Sequence, residues 1–140
     1  MSLFVAILFW FFFYSFLGWI IDSTYRSIIL RQLQNGGSIP LIPFCPIYGV
    51  GAMANLFIFP FLFPLPLPTQ FILLMVLLGG VEYIGGIIAL ILWKRRLWDY
   101  RGHFLNIQGH TDFFHAFLWG ILGLIFLYVI HPFFVELFQI

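Results

Sequence analysis

Long apolar runs, each broken by a short polar or proline-rich interval, organise this chain. Four windows are apolar over roughly the 20 residues that a bilayer-crossing helix needs: residues 3–21, 44–63, 71–93 and 113–134. Between the second and third, the alternating Pro64, Pro66 and Pro68 remove amide donors and predict an extended turn. After the first window, Tyr25, Ile28 and Ile29 keep helical spacing while Arg26, Arg31 and Gln32 can face water. The first helix is therefore expected to run past the membrane and stop near Asn35, Gly36 and Gly37. Pro40, Pro43 and Pro46, spaced by three, predict an extended segment that packs into the membrane face before a second helix starts near Pro46. Such backbone persists at membrane depth only where protein covers it. The fold class expected is an all-α membrane protein, a four-transmembrane-helix bundle in one domain, with connections at 22–43 and 94–112.

Composition makes lipid the solvent. Of 140 residues, 63% are hydrophobic and 8% charged, against roughly 25% charged in a soluble domain. All six basic residues fall in two connections, Arg26 and Arg31 in one, Lys94, Arg95, Arg96 and Arg101 in the other. The positive-inside rule puts both loops in the cytoplasm and both termini outside. Trp93, Trp98 and Tyr100 form an aromatic belt beside the second basic loop. A net charge of +1, with no basic stripe, excludes nucleic acid as a partner. The single Cys45 has no internal disulfide partner and is expected as a small buried residue. The first twenty residues lack a basic start and a small-residue cleavage site, so they are expected as a permanent span.

A few polar residues stand where burial is expensive. Glu82 lies near the middle of the third window, where a charged carboxylate costs at least about 2.5 kcal/mol. Asn55 and Glu82 both fall roughly 16 Å from the cytoplasmic ends of their helices at 1.5 Å per residue, which predicts one shared layer and a hydrogen bond from a neutral Glu82 to Asn55. That bond either glues the bundle or marks a proton or substrate site. Gly79 and Gly86 share a face with Glu82, and Ala116 with Gly120, like Gly49 with Ala52, offers close helix packing. Asp22 stands one turn from Arg26 and beside Tyr25. Trp98, Asp99 and Tyr100 form a compact acidic and aromatic group, with Asp99 placed to bind an arginine across the loops, such as Arg26. His110, Asp112 and His115 have a metal-like spacing. Asp112 more simply caps the fourth helix, so neither a metal nor another cofactor is assigned. There is no nucleophile motif, phosphate cradle or ATPase lysine loop. An enzyme is the less favoured reading, and ATP-driven work would need a partner.

The chain also hints at duplication. NGGSIPLIPFCPIYGVGA from Asn35 and NIQGHTDFFHAFLWGILG from Asn106 share an asparagine and an aromatic-glycine pair, Tyr48 with Gly49 and Trp119 with Gly120, at one constant offset. Each half would be a helix, a basic cytoplasmic loop and a returning helix, the two related by an axis along the membrane normal.

Five blocks carry a family resemblance: YSFLGWIIDSTYR at 14–26, PFCPIYGVGA at 43–52, VEYIGG at 81–86, WDYRGHFLNIQG at 98–109 and FLWGILG at 117–123. In that order they resemble a bacterial family labelled putative ABC-transporter type IV permeases. The chain departs from the family pattern at Asp22, where Glu is usual, and at Ile42, where Gly is usual. The resemblance implies a multi-pass protein of the bacterial plasma membrane and a permease-like, transport-related role for an unidentified small substrate. A homo-oligomer or an ATP-hydrolysing subunit is the expected partner, besides the lipid bilayer. The candidate polar cluster is Asp22, Tyr25, Arg26, Asn55, Glu82, Tyr83, Trp98, Asp99, Tyr100 and Asn106, most of it expected to line a cytoplasm-facing cavity between the helices. Two other readings stay open: a structural or accessory protein of a larger complex, and a lipid-acting membrane enzyme using Glu82 or His115 for proton transfer.

Overall fold

A computed structural model describes residues 2–36 and 42–139. The positions of Gly37 and Pro40 in the first connection, and of Met1 at the end of the chain, lie outside the described residues. Among the described residues the chain is helical, with no strand beyond one bridge between Ile107 and Thr111. The helices are α1 (Leu3–Leu30), α2 (Pro46–Leu62), α3 (Leu67–Trp93) and α4 (Phe113–Phe138). α1, α3 and α4, of 28, 27 and 26 residues, are long and apolar enough to cross a bilayer. α2 is shorter, at 17 residues.

Two helix ends differ from the sequence expectation. α1 stops at Leu30, because Arg31 takes a left-handed φ of 51° and turns its amide back to the Ile28 carbonyl. α3 begins inside the proline run at Leu67, with Pro68 in the first turn, where a missing N–H breaks no helical bond. The extended turn is thus confined to residues 63–66.

The first compact unit is Met1–Met53. The Ser2 hydroxyl caps α1 by accepting the Val5 amide. Past Arg31 the chain reverses and retraces α1 along one stripe of positions spaced by four. The Gln34 amide donates to Ser27 Oγ at 2.9 Å, the Gly36 amide to Ser23 Oγ at 2.9 Å, and Trp19 Nε1 donates to Asn35 Oδ1 at 2.6 Å. Further along, the Cys45 amide donates to the Ser15 carbonyl at 3.0 Å, just before α2 starts. The two serine hydroxyls and the Ser15 carbonyl satisfy amides that no ladder holds, which lets irregular backbone lie along a helix. Gly18 gives room to the Tyr48 side chain, and Gly49 packs against Phe11 and Ser15.

The second unit is Ala54–Ile140. α3 buries one face, Gln70, Leu74, Leu78, Gly79, Glu82, Gly86 and Ala89, at the three- and four-residue spacing of a helix stripe. α4 runs antiparallel beside it: Ala116 meets Gly79, Gly120 meets Met75, and Gly123 meets Leu74. α4 therefore starts level with the middle of α3, and the segment 98–112 packs along the other half. Pro132 has no amide to continue the ladder, and a π turn at Phe126–Ile130, closed by the His131 amide on the Phe126 carbonyl, absorbs the break. At the far end, buried Gln70 donates to the Leu65 carbonyl and accepts from Tyr128 Oη, both at 2.8 Å. Tyr128→Phe removes that donor and is expected to cost about 0.6–1.7 kcal/mol, the range for such bonds in membrane proteins. The measurement is the thermal midpoint in detergent, and an unshifted midpoint would show the bond to be idle.

Three packing pairs recur between the units. Phe11 with Gly49, Ser15 with Cys45 and Gly18 with Tyr48 correspond to Met75 with Gly120, Gly79 with Ala116 and Glu82 with Trp119. One interval relates the first members and a second interval relates the partners.

Candidate functional site

Glu82 sits on the buried face of α3 and is 4% exposed. Its surroundings come largely from the segment 98–112. Tyr100 Oη donates to Oε1 at 3.2 Å and Thr111 Oγ1 to Oε2 at 2.7 Å, and the Trp119 side chain is a third hydrogen-bond partner. Gly86 makes this approach possible, since a Cβ there would lie 2.5 Å from His110 Nδ1. A carboxylate too costly for lipid is thus enclosed by donors.

The segment reaches that depth through a compact set of local bonds. Asn106 staples it: Nδ2 donates to the His103 carbonyl at 2.9 Å and Oδ1 accepts the Gly109 amide at 3.1 Å. The Tyr100 amide donates to the Gly109 carbonyl, and the Ile107 amide to the Thr111 carbonyl, each at 2.9 Å. Gly109, at φ 73°, presses so close to Asp99 and Arg101 that a side chain would collide with both. Trp98 Nε1 donates to the His110 carbonyl at 2.8 Å, and Tyr83 Oη to Gln108 Oε1 at 3.0 Å. Asp99 is gripped by Arg101 through both carboxylate oxygens. Those hydrogen bonds hold its carboxyl down at about 2.

Next to Tyr100 lies a second polar group. Asp112 caps α4 by accepting the His115 amide at 2.6 Å. The same carboxylate meets His115 Nδ1 at 2.9 Å and His103 Nδ1 at 2.6 Å. Burial pushes the Asp112 carboxyl upward, but the hydrogen bonds from the His115 amide, the His115 ring and the His103 ring together hold it below the usual range. The Tyr100 ring stacks on His115 with centroids 3.9 Å apart, so one residue joins Glu82 to this group.

The expected site residues therefore fall into three groups. Glu82, Tyr83, Trp98, Asp99, Tyr100 and Asn106 all belong to α3 and the segment folded against it. Asn55, on α2, is buried with its Oδ1 beside Gly123, while the Glu82 oxygens go to Tyr100 and Thr111. Asp22, Tyr25 and Arg26 lie near the end of α1 in the first unit, where Arg26 Nε donates to Asp22 Oδ2 at 2.8 Å. The metal-like trio read from spacing changes one member. His110 turns to Gly86 and Tyr83, and His103 takes its place beside Asp112 and His115. Thr111 and Trp119 were not singled out as Glu82 partners. The aromatic-glycine match with Tyr48 and Gly49 and the block FLWGILG at 117–123 both included Trp119, and nothing in the sequence singled out Thr111.

A family model described as "Putative ABC-transporter type IV" matches residues 9–140. No curated protein and no solved structure matches the chain.

Proposed function

Because the chain belongs to the family described as "Putative ABC-transporter type IV", we propose that it is a permease-like, transport-related membrane subunit for a small substrate, working in the bacterial plasma membrane. The observation that carries this reading is the family match over residues 9–140, and the ionisable and hydrogen-bonding groups around Glu82, inside a helix pair otherwise suited to lipid, are where the polar site is placed. The polar residues proposed to act are Glu82, Tyr83, Trp98, Asp99, Tyr100 and Asn106. In this reading the chain forms one domain that crosses four times, α2 included, with both termini outside and Arg26, Arg31 and the run Lys94, Arg95, Arg96 in the cytoplasm. The 140 residues contain no ATP-binding lysine loop, so an ATP-hydrolysing subunit supplies the energy, alone or with further copies of this chain.

Topology is tested by labelling single-cysteine variants in a Cys45→Ser background with an impermeant maleimide on intact cells. Arg31→Cys and Arg95→Cys should react only after permeabilisation, and Ser2→Cys without it. Reaction of positions 31 and 95 from opposite faces would overturn the four-crossing arrangement. For energy coupling, the tagged chain captured from gently solubilised membranes should retain ATP hydrolysis. Its absence favours the accessory-protein reading, which the tight burial of Glu82 also supports, since an enclosed carboxylate is well made to anchor a loop.

A further inference from the structure

We propose that His103, Asp112 and His115 form a binding site for a divalent transition-metal ion of the Zn2+ class. One ring nitrogen of each histidine and a carboxylate oxygen of Asp112 all lie within 4.8 Å of one another. Two imidazoles and one carboxylate suit Zn2+, Co2+ or Ni2+ and are poorly matched to Mg2+ or Ca2+, which take oxygen ligands. At present the rings point Nδ1 at the carboxylate at 2.6 and 2.9 Å. Ligands about 2.0–2.1 Å from a tetrahedral ion stand roughly 3.3 Å apart, so loading requires the rings to withdraw by about half an ångström. Each neutral ring then carries its proton on Nε2 and turns the Nδ1 lone pair to the ion.

The surroundings are built for holding such an ion. The Asp112 side chain is fully buried, and the His115 amide fixes its Oδ1 at 2.6 Å. His115 is nearly buried and clamped by the Tyr100 ring, whose hydroxyl is in turn held by Glu82. These are the outer contacts that orient a metal ligand. His103 is half exposed, leaving an entry side and the mobility that loading needs. Three protein ligands with an open fourth position are the pattern of sites that exchange a water or a substrate group.

The first unit serves as an internal comparison. The interval that carries Trp119 to Tyr48 carries Asp112 to Leu41 and His115 to Phe44, and the interval for the first helix carries Glu82 to Gly18. Unit one makes its matching helix contacts, Phe11 with Gly49, Ser15 with Cys45 and Gly18 with Tyr48, and its sequence has an apolar residue or glycine where unit two has Asp112, His115 and Glu82. Packing of this motif therefore does not require the trio, and its chemistry is particular to unit two.

The site stands on the geometry of unit two alone and does not depend on the transport reading. The test is titration of chelator-stripped protein in nanodiscs with Co2+, followed by visible absorption, and with Zn2+, followed by elemental analysis. One equivalent per chain and ligand-field bands of nitrogen and oxygen coordination are expected. His103→Ala alters an exposed ring, and Asp112→Asn keeps the helix-capping oxygen. Each should weaken binding by more than the roughly 10–100-fold lost with an outer partner, while His110→Ala should leave it unchanged. The proposal is overturned if the unmodified protein binds nothing up to about 1 mM free ion. It is equally overturned if His103→Ala and Asp112→Asn bind as tightly as the unmodified protein.

Discussion

Replacing Glu82 by Ala lowers the thermal midpoint of the purified protein and frees the segment 98–111 from α3. The substitution removes the acceptors of Tyr100 Oη, Thr111 Oγ1 and the Trp119 side chain together. Each buried group left unpaired costs about 1–3 kcal/mol, so a loss of roughly 2–4 kcal/mol is expected, with Tyr100 contributing less because it is only half buried. Trypsin reports the same event locally, because Arg101 lies in the released segment and cleavage there should accelerate along with the fall in midpoint. Glu82→Gln keeps the volume and one acceptor, and should fall between the two. If Glu82→Ala leaves both the midpoint and the cleavage rate where they were, the carboxylate does not hold the loop.

A second large effect is expected in the first unit, from a single methyl group. Built on Gly49, a Cβ would stand 2.6 Å from the Phe11 carbonyl oxygen and 2.9 Å from its ring. A helix carbonyl cannot step aside, so Gly49→Ala must push α2 away from α1, at about 1–3 kcal/mol or more. Gly80→Ala is the opposite case. Nothing lies within 4 Å of a Cβ at that position, and replacing a helical glycine there should gain roughly 0.5–1 kcal/mol. Thermal midpoints of opposite sign in the two variants are the expected outcome, and a neutral Gly49→Ala would contradict the close approach of the helices.

The long helices were legible in the sequence because apolar length and period are local properties. So was the pairing of Arg26 with Asp22, which needs only a helix and a four-residue interval. The partners of Glu82 were not. Counting residues from the helix ends put Asn55 level with it, on the assumption that every helix starts at the same face of the membrane. α4 begins beside the middle of α3, and the space is taken by Tyr100 and Thr111. What brings them there is a run of left-handed residues at Gly102, Leu105, Gln108 and Gly109, together with the Ile107 to Thr111 bridge. Of these, Leu105 and Gln108 carry no turn signal in their residue type. The same folding replaces His110 by His103 beside Asp112, an exchange invisible to linear spacing. In the first connection, Ser23 and Ser27 read as ordinary helix residues until the returning amides of Gly36 and Gln34 find their hydroxyls.

The widened turn in α4 has an angular consequence. An extra residue within one turn rotates everything beyond it by about 100° about the helix axis. Ala116, Gly120 and Gly123 present one azimuth to α3, whereas Phe133, Phe134 and Phe138 leave the rod at a phase that an unbroken α-helix would not give them. Those rings regain the original phase only if the π turn closes into regular α-helix or a residue is inserted or deleted.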